Sequence, residues 1–170
     1  MSETIKRGST RIRYEGLLDW KEMYTFIVNW LKSKKFDYHE NRNVKKPGPY
    51  GYELEYEAHA EREESGYVRH DIDIKIHGYH LEDVEVIVEG EKRPKTRAGM
   101  FIIDLTPSVV LDWQDKWDKR LKKKARDFFH KYIIRGYVYE QIDGLHYEMY
   151  KLHTKIKEML DLEHKYSAYH

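Results

Sequence analysis

Two long stretches of the chain alternate between apolar and polar residues. In Tyr52–Glu61 the apolar positions carry Tyr, Leu and Ala against Glu and His, and in Arg69–His77 isoleucines alternate with charged residues. A period of two is that of a strand with one buried face. A shorter alternation at Arg11–Gly16 and the apolar positions of Val84–Val88 and Phe101–Leu105 predict further strands.

The turn between the two long strands predicts their register. Glu64-Ser65-Gly66 fits a three-residue hairpin loop that ends in a left-handed glycine. Counting outward from this loop places Glu57 opposite Asp73 and His59 opposite Asp71 on the polar face.

Three helices are predicted from apolar residues at helical spacing. Asp19 is the expected N-cap of the first, which covers Trp20–Lys34. The other two are Asp115–Ile134 and Asp143–Leu162, with a connection between them. Asn41–Gly51, which contains Pro and Gly beside two Lys, indicates an exposed loop.

This order of elements predicts an α+β fold. We expect a curved antiparallel sheet of four to six strands, with one N-terminal helix and two C-terminal helices packed on it. Residues 1–10 are expected to be a flexible N-terminus, 11–163 a single domain, and 164–170 a frayed C-terminus. The order resembles that of helix-grip (START-like) domains, which hold hydrophobic ligands between a sheet and a long C-terminal helix; the second C-terminal helix departs from that pattern.

Composition narrows the classes of function. The 170 residues include no Cys, which excludes disulfides, zinc–thiolate sites and a thiol nucleophile. No stretch has the length of a membrane span, and Met1–Thr10 lacks the apolar run of a secretory signal, so we expect a cytoplasmic protein. Charged residues make up 36% and amides are few, a composition typical of heat-adapted proteins. The segments Tyr52–Tyr56 and Trp113–Trp117 resemble small uncharacterised archaeal α+β proteins, a resemblance that implies no functional residues.

The chain contains neither a glycine-rich phosphate loop nor a Gly-x-Ser-x-Gly motif. Side chains of the hairpin's polar face offer a candidate metal site instead, because facing carboxylates repel unless a proton or cation lies between them. The alternative is an ordinary solvated face whose charges are balanced by Arg69 and Lys75. The candidate metal ligands are Glu57, His59, Asp71, Asp73 and His77.

A basic segment forms a second candidate site. Seven Lys or Arg accompany the single acid Asp118, which gives a local charge of +6 beside two tryptophans. Such a helix could follow a phosphate backbone, or it could contact the acidic hairpin Glu53–Glu64. The candidate partner-binding residues are Lys116, Lys119, Arg120, Lys122, Lys123, Lys124, Arg126, Trp113, Trp117, Glu53, Glu55 and Glu57.

Our first hypothesis is a non-enzymatic module without a cofactor. It would bind a protein or a second copy of itself through the acidic hairpin and the basic helix, with an aromatic-lined pocket as an additional feature. One alternative is nucleic-acid binding through the basic helix at 116–126. A second alternative is a metal-dependent enzyme at Glu57, Asp71 and Asp73.

Overall fold

The computed structural model describes residues 2–114, 125, 128 and 135–167. Within them the fold is α+β, with a six-stranded sheet whose strand pairs are antiparallel and with two helices. The elements are β1 (Glu3–Lys6), β2 (Thr10–Leu18), α1 (Trp20–Ser33), β3 (Asp37–Gly48), β4 (Gly51–Glu63), β5 (Val68–Val88), β6 (Glu91–Leu111) and α2 (Arg135–Ser167).

The strands β3, β4, β5 and β6 lie side by side in chain order, and β1 and β2 both pair with the outer edge of β6. Strand β1 therefore lies within the segment expected to be a flexible N-terminus. Strands β5 and β6 are 21 residues each and turn at Glu89–Gly90, where both residues have positive φ. Pro94 and Gly99, which lie between the predicted strands Val84–Val88 and Phe101–Leu105, are within β6 and do not form a turn.

The loop predicted at Asn41–Gly51 is also wrong, since β3 continues to Gly48. Strand β3 is an edge of the sheet, and all of its residues are at least partly exposed. Proline is tolerated at a sheet edge because its missing N–H can face away from the ladder. Pro47 accordingly pairs with Tyr52 at the end of the hairpin.

The register of the β4–β5 hairpin differs by two residues from the predicted one. Glu57 lies opposite Lys75, and His59 lies opposite Asp73. The loop is longer than predicted because Ser65 Oγ accepts hydrogen bonds from the backbone N–H of both Tyr67 and Val68, at 3.3 and 3.0 Å. Backbone N–H groups of Glu64 and Ser65 also donate to the Val68 carbonyl at 3.0 Å, so these bonds and the serine side chain close the hairpin in place of a three-residue glycine loop.

Helix α1 follows the sequence prediction. Asp19 is its N-cap, and the Asp19 carboxylate accepts a hydrogen bond from the Glu22 N–H at 2.9 Å. Met23, Ile27 and Leu31 form its buried stripe.

The prediction of two C-terminal helices is corrected to one among the described residues. Of the first predicted helix, Asp115–Ile134, only residues 125 and 128 are described. The predicted connection before Asp143 is instead the first part of α2, which begins at Arg135. Gly136 costs this helix only about 1 kcal/mol relative to Ala. Val138 and Ile142, at 8% and 6% exposure, each contribute about 1.5–3 kcal/mol by burial, so helix formation is favoured.

The core lies between the two helices and the apolar face of the sheet. Met149, Leu152 and Ile156 of α2 are fully buried there. On the sheet side, the rings of Tyr56 and Phe101 pack against Trp20, with centroids 5.6 and 5.7 Å away. This leaves the polar side chains of β3–β6 on the opposite face, which we call the outer face.

Candidate metal centre

One row of residues across the outer face alternates in charge. It contains Arg42 of β3, Glu57 of β4, Lys75 of β5, Asp104 of β6 and Arg11 of β2, each directly opposite the next. Arg11 donates to both oxygens of Asp104 at 2.6 and 2.9 Å, and Lys75 Nζ lies 3.7 Å from Glu57. Opposite charges in cross-strand pairs stabilise a sheet, and this row has them at every step.

The next two rows on one side of it do not alternate. In the nearer row, two histidines are followed by a carboxylate, and in the farther row three carboxylates lie opposite one another across three strands. Like charges directly opposite each other destabilise a sheet. We call these six residues the ligand grid: Asp37, Glu61 and Asp71 in one row, and His39, His59 and Asp73 in the other.

His59 lies at the centre of the grid and has a defined orientation. Its Nδ1 is 2.7 Å from Oδ1 of Asp73. An ionised carboxylate only accepts hydrogen bonds, so Nδ1 carries the proton and the Nε2 atom of a neutral ring presents a lone pair. A carboxylate that accepts from the far nitrogen is the usual support of a metal-binding histidine.

The Nε2 atom of His59 faces two carboxylates. It lies 3.7 Å from Oδ2 of Asp71 and 3.9 Å from Oε2 of Glu61, farther than a hydrogen bond. Two atoms bound at about 2.1 Å to one tetrahedral ion lie about 3.4 Å apart. The two distances from His59 exceed this value by 0.5 Å or less, and the ligand atoms of the three residues all lie within 4.8 Å of one another, so side-chain adjustment can bring them to one ion.

Arg69 is the cation that the described residues place against these carboxylates. Its Nε and Nη2 both donate to Asp71 at 2.8 Å, and its Nη1 lies 3.0 Å from Glu61. The hydrogen bonds to Asp71 raise the pKa of the Arg69 guanidinium above its ordinary value. Each carboxylate oxygen has two lone pairs, so an oxygen that accepts from Arg69 can still bind an ion.

Of the five predicted metal ligands, the structure brings together three: His59, Asp71 and Asp73. Glu57 lies in the neighbouring row against Lys75. The His77 ring stacks on Tyr79 with centroids 4.0 Å apart. The corrected register explains this division. Asp73 was predicted to lie opposite Glu57, but after the shift of two residues it lies opposite His59, and Glu57 lies opposite Lys75.

Sequence reasoning missed Glu61, Asp37 and His39. Glu61 belongs to the same alternating pattern as Glu57 and would have been found with the correct register. Asp37 and His39 were missed because most of β3 was predicted as the loop Asn41–Gly51, so no strand was predicted beside β4. Their i, i+2 spacing is nevertheless that of one strand face.

The candidate partner-binding residues are described only in part. Glu55 pairs with Arg42 and Lys46, and its pKa is lowered chiefly by the hydrogen bond from Lys46. Glu53 lies 3.9 Å from His77, and Trp113 donates from Nε1 to the Ser65 carbonyl at 3.0 Å. The remaining residues lie outside the described part of the chain, so the pairing of acidic hairpin and basic helix stays a prediction: Lys116, Trp117, Lys119, Arg120, Lys122, Lys123, Lys124 and Arg126.

Two further concave regions accompany the grid. A cavity of about 250 Å³ lies between the start of α1, the tip of the β5–β6 hairpin and α2. Its described lining includes Leu18, Met23 and Leu160 but no aromatic side chain. A polar groove of about 710 Å³ adjoins the grid at Asp37 and Glu61.

Comparison with protein-family models and with curated proteins finds no match for this chain. Neither described helix combines the length and apolarity that crossing a membrane requires.

Proposed function

We propose that the protein binds a divalent transition-metal ion through Nε2 of His59, Oε2 of Glu61 and Oδ2 of Asp71, with Asp73 orienting the histidine. The observation that carries this proposal is the contrast between rows of the outer face. The same strands that alternate charge at Glu57 and Lys75 pair His59 with Asp73 in the next row and place the carboxylates of Glu61 and Asp71 opposite each other in the row after it. A bound cation turns that repulsion into attraction.

The local charge agrees with a divalent ion. Glu61, Asp71 and Asp73 with the Arg69 guanidinium carry a net charge of −2, which one divalent ion neutralises. One imidazole nitrogen and two carboxylate oxygens are ligands that suit Zn²⁺, Mn²⁺ and Fe²⁺. The absence of Cys restricts the site to such N and O ligands.

The degree of exposure indicates what the ion would do. The Asp71 side chain is 7% exposed, whereas those of His59 and Glu61 are 27% and 34% exposed. Ions with three protein ligands and solvent access keep an open position for water or a substrate oxygen. Such an ion polarises a bound carbonyl or phosphoryl group or lowers the pKa of bound water, so the class of function is metal-assisted hydrolysis or oxygen-ligand binding.

Titration of the metal-free protein with Zn²⁺ or Co²⁺ by calorimetry tests the proposal. His59→Gln should weaken binding at this site by tenfold or more, and Asp73→Asn should weaken it by about 10–100-fold through loss of the supporting hydrogen bond. His77→Gln is the matched control, because His77 is on the same face of the same hairpin and should leave the affinity unchanged. No binding by the wild type, or an equal loss in the His77 variant, contradicts the proposal.

A second candidate function is suggested by the cavity of about 250 Å³. It adjoins the long helix α2, which agrees with the helix-grip resemblance, and its floor of Leu18, Met23 and Leu160 is buried. We propose that it accepts a small amphipathic molecule, smaller than most drug-sized ligands. Binding of octanoate measured by calorimetry, abolished by Met23→Trp in a folded variant, would support this; no binding, or binding unaffected by that variant, would contradict it.

A further inference from the structure

We infer that the ligand grid holds two metal ions, with a second ion bound between β3 and β4 by Asp37, His39 and Glu61. This inference rests on the proposed metal-binding function and extends it to a binuclear centre. Glu61 is the residue common to both ion positions, and its carboxylate has two oxygens with which to bridge them.

The sheet geometry places the second set of ligands as it places the first. Asp37 is directly opposite Glu61, and His39 is directly opposite His59. Nε2 of His39 lies 3.4 Å from Oδ2 of Asp37, the separation of two ligands on one ion. The ligand atoms of Asp37, His39 and Glu61 all lie within 4.8 Å of one another.

The separation of the two positions also fits. One ion lies between β4 and β5 and the other between β3 and β4, so their centres are about one strand spacing apart, about 4.8 Å. Two-metal sites have ions about 3.5–4 Å apart, a distance reached when a shared carboxylate draws both ions toward it. Glu61 lies on the strand between the two positions.

The charges indicate an anionic ligand. The four grid carboxylates and Arg69 sum to −3, so two divalent ions leave a net charge of +1 that an anion can neutralise. The groove of about 710 Å³ beside Asp37 and Glu61 gives such an anion room. The rest of its described lining is balanced in charge, with Lys34, Lys35 and Arg62 against Glu63, Glu64 and Glu148, so the net positive charge comes from the two ions. Phosphate and phosphate esters have the oxygens and the charge to bridge two ions.

The two positions should fill in order. The side chains of Asp37 and His39 are 75% and 55% exposed, whereas Asp71 at the first position is 7% exposed. An exposed ligand set is less preorganised, so the second ion should bind more weakly. Added inorganic phosphate should raise the affinity of the second ion more than that of the first.

The experiment is titration of the metal-free protein with MnCl₂, followed by native mass spectrometry and electron paramagnetic resonance. We expect two ions in the wild type, with an exchange-coupled signal at two equivalents. His39→Gln should bind one ion, give a six-line mononuclear signal, and keep the first affinity within about threefold; His77→Gln should match the wild type.

The outcomes separate this inference from the proposed function. One ion in the wild type that is lost in His59→Gln overturns the binuclear centre and leaves the first site standing. Two coupled ions in His39→Gln also overturn it, because the second position would then have other ligands. No bound ion in any protein overturns both proposals.

Discussion

Replacement of Arg69 by Met should destabilise the metal-free protein strongly. Arg69 donates two hydrogen bonds to Asp71 and pairs with Glu61, and the Asp71 side chain is 7% exposed. Methionine keeps much of the length of the side chain and removes the charge, so Asp71 would remain buried beside Glu61 without its cation.

The magnitude follows from the burial of the pair. Breaking a fully buried pair by removing one partner costs about 3–5 kcal/mol, and an exposed pair contributes about 0–1 kcal/mol. Arg69 is 25% exposed and Asp71 is 7% exposed, so we expect a loss near the lower end of the buried range, about 3 kcal/mol. For a chain of this size that corresponds to a fall in Tm of roughly 6–12 °C.

The assay is urea unfolding of both proteins in EDTA and then in excess Zn²⁺. The control is Arg97→Met on β6, whose ion pair with Glu82 has side chains 61% and 64% exposed and should contribute less than about 1 kcal/mol. Zinc should stabilise Arg69→Met more than it stabilises the wild type. In the variant the ion replaces the positive charge of the guanidinium that neutralised Asp71.

Two results would refute this reasoning. A loss below about 1 kcal/mol in EDTA would mean that Asp71 does not depend on Arg69 for its charge balance. Equal stabilisation of both proteins by zinc would mean that the ion and Arg69 do not share the same carboxylates.

Three further predictions concern the rest of the fold. Lys35 has φ of 63° at the end of α1, so Lys35→Gly should raise the free energy of unfolding by about 0.5–1 kcal/mol in urea titrations. Ile142→Ala should lower the free energy of unfolding by about 2–4 kcal/mol, because Ile142 is buried. Tyr139→Ala should lower it much less, because Tyr139 is 49% exposed, and this difference tests the helical packing of the residues before 143. Burial, and secondarily Arg62, lower the pKa of His70 in the folded protein below its ordinary value of 6.5. As the pH falls, His70 of the unfolded chain therefore binds a proton before His70 of the folded protein does. Stability should therefore decline below pH 6.5, and less steeply in His70→Gln.

The sequence predicted those elements whose local signals agree with their surroundings. Helix α1 has an N-cap at Asp19 and a clear apolar stripe, and it forms as expected. Strand β3 has the local signals of a loop, but pairing with β4 from Gly51 to Glu61 supplies backbone hydrogen bonds that its side chains do not predict. At the start of α2, burial of Val138 and Ile142 outweighs the helix-breaking tendency of Gly136.

The candidate site was predicted in part for a related reason. Side chains along a strand alternate with a period of two. A shift of the hairpin register by two residues therefore leaves His59, Asp71 and Asp73 on the same face. Which acid lies opposite His59 depends on the loop, and the Ser65 hydrogen bonds that set the loop length have no distinctive sequence pattern. Asp37 and His39 reach the site because β3 pairs with β4. The local pattern of apolar and polar residues does not predict that pairing.

A break in the pairing of β3 explains why the outer face divides into a neutral half and an acidic half. The register of β3 against β4 shifts between Glu40 and Arg42, so one residue is passed over. A one-residue shift exchanges the two faces of a strand, so odd-numbered positions face outward before residue 41 and even-numbered positions after it. Without the shift, Arg42 and Lys46 would turn toward the apolar face and Glu55 would lose both of its cations. The irregularity therefore supplies cations to one half of the face while leaving Asp37 and His39 beside Glu61, which is why the excess of carboxylates is confined to the grid.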